Sequence, residues 1–134
     1  MKELLIDANT ENLDAVLDFI GGELEAADCP MKLQTQIAIA AEEIFVNIAH
    51  YAYNPEMGCA IIRVWVDDEI CIEFEDKGKP YNPLEKVDPD VTLGADEREV
   101  GGLGVFIVKK IMDKVEYRHE DGKNVLVISK NVKP

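Results

Sequence analysis

Apolar residues recur along this chain with two spacings, one typical of helices and one typical of strands. Two blocks between residues 10 and 53 carry apolar side chains every three or four positions, which predicts helices over 10–27 and 32–53. A third block with helical spacing follows residue 101. Alternating or β-branched runs predict five strands, over 2–8, 59–66, 69–74, 115–119 and 124–129.

The order of these elements indicates an α+β fold. Helices and hairpins come in runs rather than as repeating strand–helix–strand units, which favours a two-layer α/β sandwich. We expect a mostly antiparallel mixed sheet that is covered on one face by helices. A length of 134 residues suits one domain with its own core, so residues 1–134 are expected to form a single domain.

A long segment over 82–100 interrupts the periodic pattern. It contains two prolines, one glycine and six carboxylates, and its apolar residues follow no sustained period. Loops of this length in a compact domain are usually functional lids or disordered segments. The composition of the segment is compatible with both interpretations.

Composition and charge exclude several classes of protein. The net charge is −13 and the chain has no basic cluster, which argues against nucleic-acid binding; an acidic chain suits a basic protein partner or simply solubility. No apolar run approaches the roughly 18 residues of a membrane span, and the first residues lack the pattern of a signal peptide. Three cysteines and two histidines favour neither a disulfide framework nor structural zinc. We therefore expect a cytoplasmic protein without membrane contact.

Three glycines stand directly before the third helical block. Gly101, Gly102 and Gly104 would each lower helix stability, by roughly 1 kcal/mol relative to alanine in a helix interior. Their presence has two explanations. The backbone bends sharply into the helix, or the unbonded N–H groups at the helix N-terminus bind an anion such as phosphate. The cluster by itself favours neither.

The second predicted helix carries a polar group beside its apolar stripe. Glu43, Asn47 and His50 are spaced by four and three residues, which places them on one face. Carboxylate and amide oxygens are ligands that Mg²⁺ accepts alongside phosphate and water. The alternative is an ordinary polar helix surface, with His50 as a packed residue near the helix end. Glu42 is expected to be a solvated surface charge.

Asp76 and Gly78 follow the apolar residues of the second hairpin strand. Aspartate and glycine are common where a strand ends in a turn, which is the simplest explanation of the pair. A functional explanation is a carboxylate that accepts hydrogen bonds from an exocyclic amine, with a glycine that lets a flat ring lie against the backbone. The pair alone favours the turn.

Two common nucleotide motifs are absent from the sequence. No G-x-x-x-x-G-K-[ST] occurs, which excludes a P-loop. Gly102-x-Gly104 lacks the third glycine of the dinucleotide fingerprint and follows a loop rather than a strand, so a Rossmann site is excluded as well.

The three weak motifs occur in a familiar order. Glu43-x-x-x-Asn47, Asp76-x-Gly78-x-Pro80 and Gly101-Gly102-x-Gly104 are separated by a hairpin and a long loop. This order resembles the three boxes of the histidine-kinase-like ATPase superfamily, which includes DNA gyrase and the histidine kinases. Within it, the sequence around residues 47–53 and 101–108 looks most like the anti-sigma-factor serine/threonine kinases. The resemblance covers about residues 10–130.

The resemblance implies a Bergerat ATP-binding fold with ATP and Mg²⁺ as cofactors. Asn47 would hold Mg²⁺ and Glu43 would act as general base towards the attacking hydroxyl. Asp76 would accept from the adenine amine, with Gly78 giving room for the ring. A lid at about 84–100 would close over phosphates cradled by the three glycines, Gly101, Gly102 and Gly104.

The resemblance also implies a function and partners. The first hypothesis is an ATP-dependent serine/threonine kinase that phosphorylates a small antagonist protein, sequesters a sigma factor and forms a homodimer. A second hypothesis is a nucleotide-gated regulatory module without phosphoryl transfer, motivated by the acidic lid and by Asn124, where related kinases often have threonine. A third is a catalytic fragment that works with a separate histidine-phosphorylated protein.

Overall fold

The predicted helices and strands all form, with small shifts at their ends. The computed structural model describes residues 1–52, 58–80 and 102–132. After a first strand, one 3₁₀ turn at Thr10–Asn12 leads into the first helix. The elements are β1 (Lys2–Asp7), α1 (Leu13–Ala26), α2 (Met31–Tyr51), β2 (Cys59–Val66), β3 (Glu69–Asp76), α3 (Gly102–Ile111), β4 (Lys114–Glu120) and β5 (Lys123–Asn131).

The five strands form one sheet in the order β1-β2-β3-β5-β4. All four pairings are antiparallel. The expected α+β class with a mostly antiparallel sheet is thereby confirmed, and the described strands contribute no parallel pair. The last strand of the chain lies inside the sheet between β3 and β4, so β5 is the neighbour of a strand about fifty residues earlier in the sequence.

One face of the sheet packs against the helices. Along β2, Ile62 and Val64 are buried, whereas Ile61 and Arg63, which alternate with them, are partly exposed. This alternation is the expected consequence of covering one face of a pleated sheet. The core between the layers contains Val16, Ile20, Leu24, Ile37, Ala41, Phe45, Ile62, Ile72, Phe74, Val108 and Ile128.

The opposite face of the sheet carries ion pairs. Arg63 donates to Glu3 on β1 and to Glu73 on β3, both at 2.7 Å, and to Glu75 at 3.1 Å. Arg118 on β4 also lies 3.6 Å from Glu73. These pairs connect four strands across a surface that the three described helices leave open.

A two-residue turn sets the register of the last hairpin. Asp121 and Gly122 have positive φ angles of 53° and 74°. Two successive left-handed residues are the requirement of a type I′ turn, for which Asp-Gly is a preferred pair. The turn pairs Glu120 with Lys123 and places Asn124 opposite His119.

Some expectations fall outside the described residues, namely the lid at about 84–100 and Gly101. The start of α3 differs from the sequence-based boundary, because Gly102 and Gly104 belong to its first turn instead of preceding it. Among the helices that the structure describes, none is both long and apolar enough to cross a membrane.

Candidate functional site

A cleft lies between the helical layer and the end of the sheet. About 620 Å³ of space between atoms lies in this cleft and at its solvent-filled mouth. Most of its walls are apolar. The lining residues come from α2, β3, α3, β4 and β5 and include Ile44, Ile48, Phe74, Val108, Val115 and Leu126, with the polar residues Glu43, Asn47, Asp76, Lys79, Tyr117 and Asn124.

Helix α2 supplies two polar side chains to this cleft. Glu43 and Asn47 are one turn apart, both are half-buried, and both line the cavity. Glu42 is exposed, as expected for a surface charge. Burial raises the pKa of Glu43, and the negative charge of Glu42 raises it further. A raised pKa increases the proton affinity of this carboxylate, which suits a general base.

His50 does not belong to the cleft. It lies in the last turn of α2, is exposed, and borders a separate cavity with Asp7, Asn9 and Thr10. The interpretation of His50 as a packed residue is therefore wrong, because its side chain is exposed although Ala52 close to it is buried.

Asp76 is the last residue of β3 and is only 6% exposed. Its Oδ1 accepts hydrogen bonds from the backbone N–H of Gly78 and from Nδ2 of Asn124, both at 2.9 Å. Burial raises the pKa of Asp76 and outweighs these two hydrogen bonds, which act in the opposite direction. Its other oxygen, Oδ2, receives no hydrogen bond from the described residues, so it is available to a donor in the cleft.

Gly78 is held against the end of α2. A Cβ atom added to Gly78 would lie 2.2 Å from the backbone oxygen of Ala52, far inside contact distance. The neighbouring N–H of Lys79 donates to the same oxygen at 2.9 Å. The close approach of two backbones is therefore sufficient to require glycine here. A role for Gly78 towards a bound ring stays a prediction.

Helix α3 lines the cleft with Val108 and begins with two of the three glycines. Gly102 and Gly104 lie in its first turn, where backbone N–H groups lack partners within the helix, and Val108 one turn further lines the cavity. Gly101 lies outside the described residues. Gly102 and Gly104 therefore belong to the same helix that lines the cleft.

The sequence motifs do not predict two polar residues of the cleft, Tyr117 and Lys79. Tyr117 follows Val115 on the helix-facing side of β4. The alternating pattern of the sequence alone predicts its ring to be one more core residue. Lys79 lies inside the Asp76–Pro80 box, but a lysine in a turn carries no signal of its own. In the structure the hydroxyl of Tyr117 and the backbone oxygen of Lys79 both contact the side chain of Asn124.

The polar groups present fit a magnesium ion that is held mainly by other ligands. Asn47 and Glu43 offer hard oxygen atoms in the cleft. In the part of the chain described, no three histidine, cysteine, aspartate or glutamate side chains come together as a metal site. Mg²⁺ in nucleotide sites is often bound by one or two protein groups, with phosphates and water completing its shell.

The fold is that of a histidine-kinase-like ATPase domain. A family model of that description matches residues 6–130, nearly the whole chain. The chain therefore belongs to the histidine-kinase-like ATPase family, and the sequence-based resemblance is confirmed.

Several characterised relatives share this family. The anti-sigma F factor of Caldanaerobacter subterraneus is 27% identical over 128 residues, covering 95% of this chain and 90% of the relative. The serine/threonine-protein kinase BtrW of Bordetella bronchiseptica is 25% identical over 105 residues, with coverage of 77% and 74%. The serine-protein kinase RsbW of Staphylococcus aureus is 25% identical over 130 residues, with coverage of 92% and 82%.

Solved structures show the same fold at lower identity. The RsbU and RsbW domains of Rv1364c from Mycobacterium tuberculosis align with a TM-score of 0.66 and 13% identity over 98% of this chain. A blue-light activated histidine kinase from Erythrobacter litoralis aligns with a TM-score of 0.61 and 17% identity over 90% of the chain. The alignments cover 32% and 42% of those longer chains, so the match is to a part of each.

Proposed function

We propose that this protein binds ATP in the cleft and transfers its γ-phosphoryl group to a serine or threonine of a small antagonist protein. One observation carries the proposal: Glu43 and Asn47 of the first box and Asp76 of the second line one cavity. The relatives named as serine kinases support the reaction class. The relative named as an anti-sigma F factor supports a sigma factor as the alternate partner.

In this proposal the two ends of the cleft bind different parts of ATP, the base and the phosphates. The apolar walls around Phe74 and Leu126 suit a flat purine, and Oδ2 of Asp76 at the sheet end accepts from an exocyclic amine. Towards α2, the amide oxygen of Asn47 would hold Mg²⁺, and the ion would neutralise phosphate charge. The N-terminal turn of α3, with Gly102, supplies backbone N–H groups for phosphate oxygens.

Glu43 is proposed to take the proton of the attacking hydroxyl. A serine hydroxyl gains nucleophilic character as its proton moves to a carboxylate, and phosphoryl transfer otherwise depends on positioning and charge stabilisation. The oxygen of the acceptor then bonds to the γ-phosphorus as ADP leaves, and Glu43 later releases the proton to solvent. The raised pKa of Glu43 suits this role.

The net charge of −13 favours association with a basic surface on a protein partner. We place the activity in the cytoplasm, with a homodimer as the active form. Light scattering of the purified protein with and without ATP measures that oligomeric state.

The test compares two adjacent carboxylates on α2. The protein is incubated with Mg²⁺, γ-labelled ATP and the antagonist encoded beside its gene. Glu43→Gln should slow transfer by about 100-fold or more while ATP affinity stays within about threefold. Glu42→Gln, which alters an exposed neighbour, should leave ATP affinity unchanged and change transfer by less than about threefold, because the charge of Glu42 only adds to the effect of burial on the pKa of Glu43. Unchanged transfer by Glu43→Gln would remove Glu43 from the mechanism. ATP binding without transfer by the wild type would instead favour a nucleotide-gated binding module.

A further inference from the structure

The pairing of β3 with β5 places Asn124 beside Asp76. The two residues are direct partners in the antiparallel register, and each is 6% exposed. Buried polar side chains are expected to have hydrogen-bond partners, so the contacts of Asn124 indicate its role.

The side-chain amide of Asn124 has partners on both sides. Its Nδ2 donates to Oδ1 of Asp76 at 2.9 Å and to the backbone oxygen of Lys79 at 2.8 Å, with Gly78 O further away at 3.4 Å. Its Oδ1 accepts from the hydroxyl of Tyr117. Two acceptors face Nδ2 and one hydroxyl faces Oδ1, so this orientation of the amide fits these three contacts.

The contacts of Asn124 determine how Asp76 is presented to the cleft. An amide nitrogen carries two hydrogens, and Asp76 and Lys79 take both. Asn124 therefore acts on Asp76 rather than offering these hydrogens to a ligand. Gly78 N–H and Asn124 both bind Oδ1 of Asp76, which fixes the plane of the carboxylate and directs Oδ2 away from them.

We infer that Tyr117 and Asn124 form a positioning relay that orients Oδ2 of Asp76 towards the exocyclic amine of a purine. This relay makes the cleft selective for a 6-aminopurine over a purine without that amine. The inference rests on the proposed ATP binding and deepens it. Neither residue is assigned contact with the reacting phosphates, so the effect belongs to base recognition.

A merely structural role predicts a different outcome. If Asn124 only tied β5 to the turn after β3, its loss would loosen the whole cleft and weaken every purine nucleotide alike. A positioning role weakens ATP alone, because a nucleotide without the amine makes no bond to Asp76. The ratio of two affinities therefore separates the roles.

The experiment measures Kd by calorimetry for ATP and for purine riboside triphosphate, which carries hydrogen in place of the amine. Wild type should prefer ATP by about tenfold or more, as expected for a hydrogen bond to a buried carboxylate. Asn124→Leu should reduce that preference to about threefold or less, mostly through weaker ATP binding. Asn131→Ala, an exposed change at the far end of β5, is the matched control and should keep the wild-type ratio.

Tyr117→Phe gives a second reading that keeps the ring in the cleft. It removes only the hydroxyl that donates a hydrogen bond to Oδ1 of Asn124, so the preference for ATP should fall by about two- to fivefold. Equal weakening of both nucleotides, or an unchanged ratio in both variants, overturns the relay. If Asn124→Leu does not fold, the ratio in Tyr117→Phe decides. Wild type that binds neither nucleotide contradicts the proposed function itself, a distinct result.

Discussion

Asp76 combines deep burial with an ionisable side chain. No lysine or arginine pairs with it among the residues described, and burial is the largest influence on its pKa. A buried carboxylate without a cation costs stability, because its charged form loses hydration. Glu75 beside it adds to the cost, whereas His119 on β4 reduces it. Such a cost is expected where a carboxylate serves a ligand rather than the fold.

Asp76→Asn should therefore raise the melting temperature at neutral pH. Asparagine keeps an oxygen for Gly78 and Asn124 but carries no charge. Because the folded-state pKa of Asp76 is raised, folding favours the protonated form of its carboxyl group. The stability that this preference contributes is fully present below the ordinary aspartate pKa and is lost as pH rises through the folded-state pKa. The advantage of the variant should be largest near pH 7 and vanish in acid. Calorimetric melting of both proteins between pH 3.5 and 7 measures this, and a variant that melts lower at pH 7 contradicts it.

Asn47 is assigned to the metal and not to the base. Asn47→Ala should lower the affinity for ATP in the presence of Mg²⁺ by about tenfold and leave the affinity measured in excess chelator nearly unchanged. Titrations with and without Mg²⁺ give both values. An equal loss under the two conditions would instead indicate a packing role for Asn47 in the cleft wall.

Glycines serve different purposes in different elements. Gly21 and Gly22 lie inside α1, and a Cβ atom at either position would meet nothing within 4 Å. At Gly78 the same atom would strike the backbone of Ala52. The helical pair therefore only lowers helix propensity, while Gly78 permits two segments to touch.

Gly21→Ala and Gly22→Ala should each raise the free energy of unfolding by about 0.5–1 kcal/mol. Gly78→Ala should lower it by about 1–3 kcal/mol, because backbone atoms must move apart. Urea unfolding of the three variants gives these values on one scale. Stabilisation by Gly78→Ala would show that the contact with Ala52 is not constraining.

The sequence predicts elements better than it predicts their partners. The helical spacing of α2 and the β-branched runs of the hairpin are local patterns, so the sequence predicts both elements. The strand β3 runs on to Asp76 beyond the expected end at residue 74, because polar Glu75 and Asp76 hide a continuing ladder. The sequence shows Asn124 only as a residue at a position where related kinases often have threonine. Its bond to Asp76 depends on the β3–β5 pairing, which no local pattern encodes.

At the scale of the whole molecule, the site depends on a sheet in which the last two strands exchange places relative to their order in the chain. Boxes found on α2, at the end of β3 and at the start of α3 are far apart in sequence. Placing β5 between β3 and β4, and α2 and α3 on one face, brings Glu43, Asn47 and Asp76 to one cleft, which α3 lines with Val108. The order of the motifs is visible in the sequence, whereas the cleft depends on the three-dimensional arrangement of the helices and strands.

The central claim is that this cleft recognises ATP through Asp76. Calorimetric titration of Mg-ATP into wild type and Asp76→Asn tests it most directly, with thermal melting to show that both are folded. An asparagine amide can present a donor to the donor amine of adenine, so affinity should fall by at least about tenfold. The account expects saturable binding by wild type and this loss in the variant. Equal binding of ATP by the two proteins would contradict it.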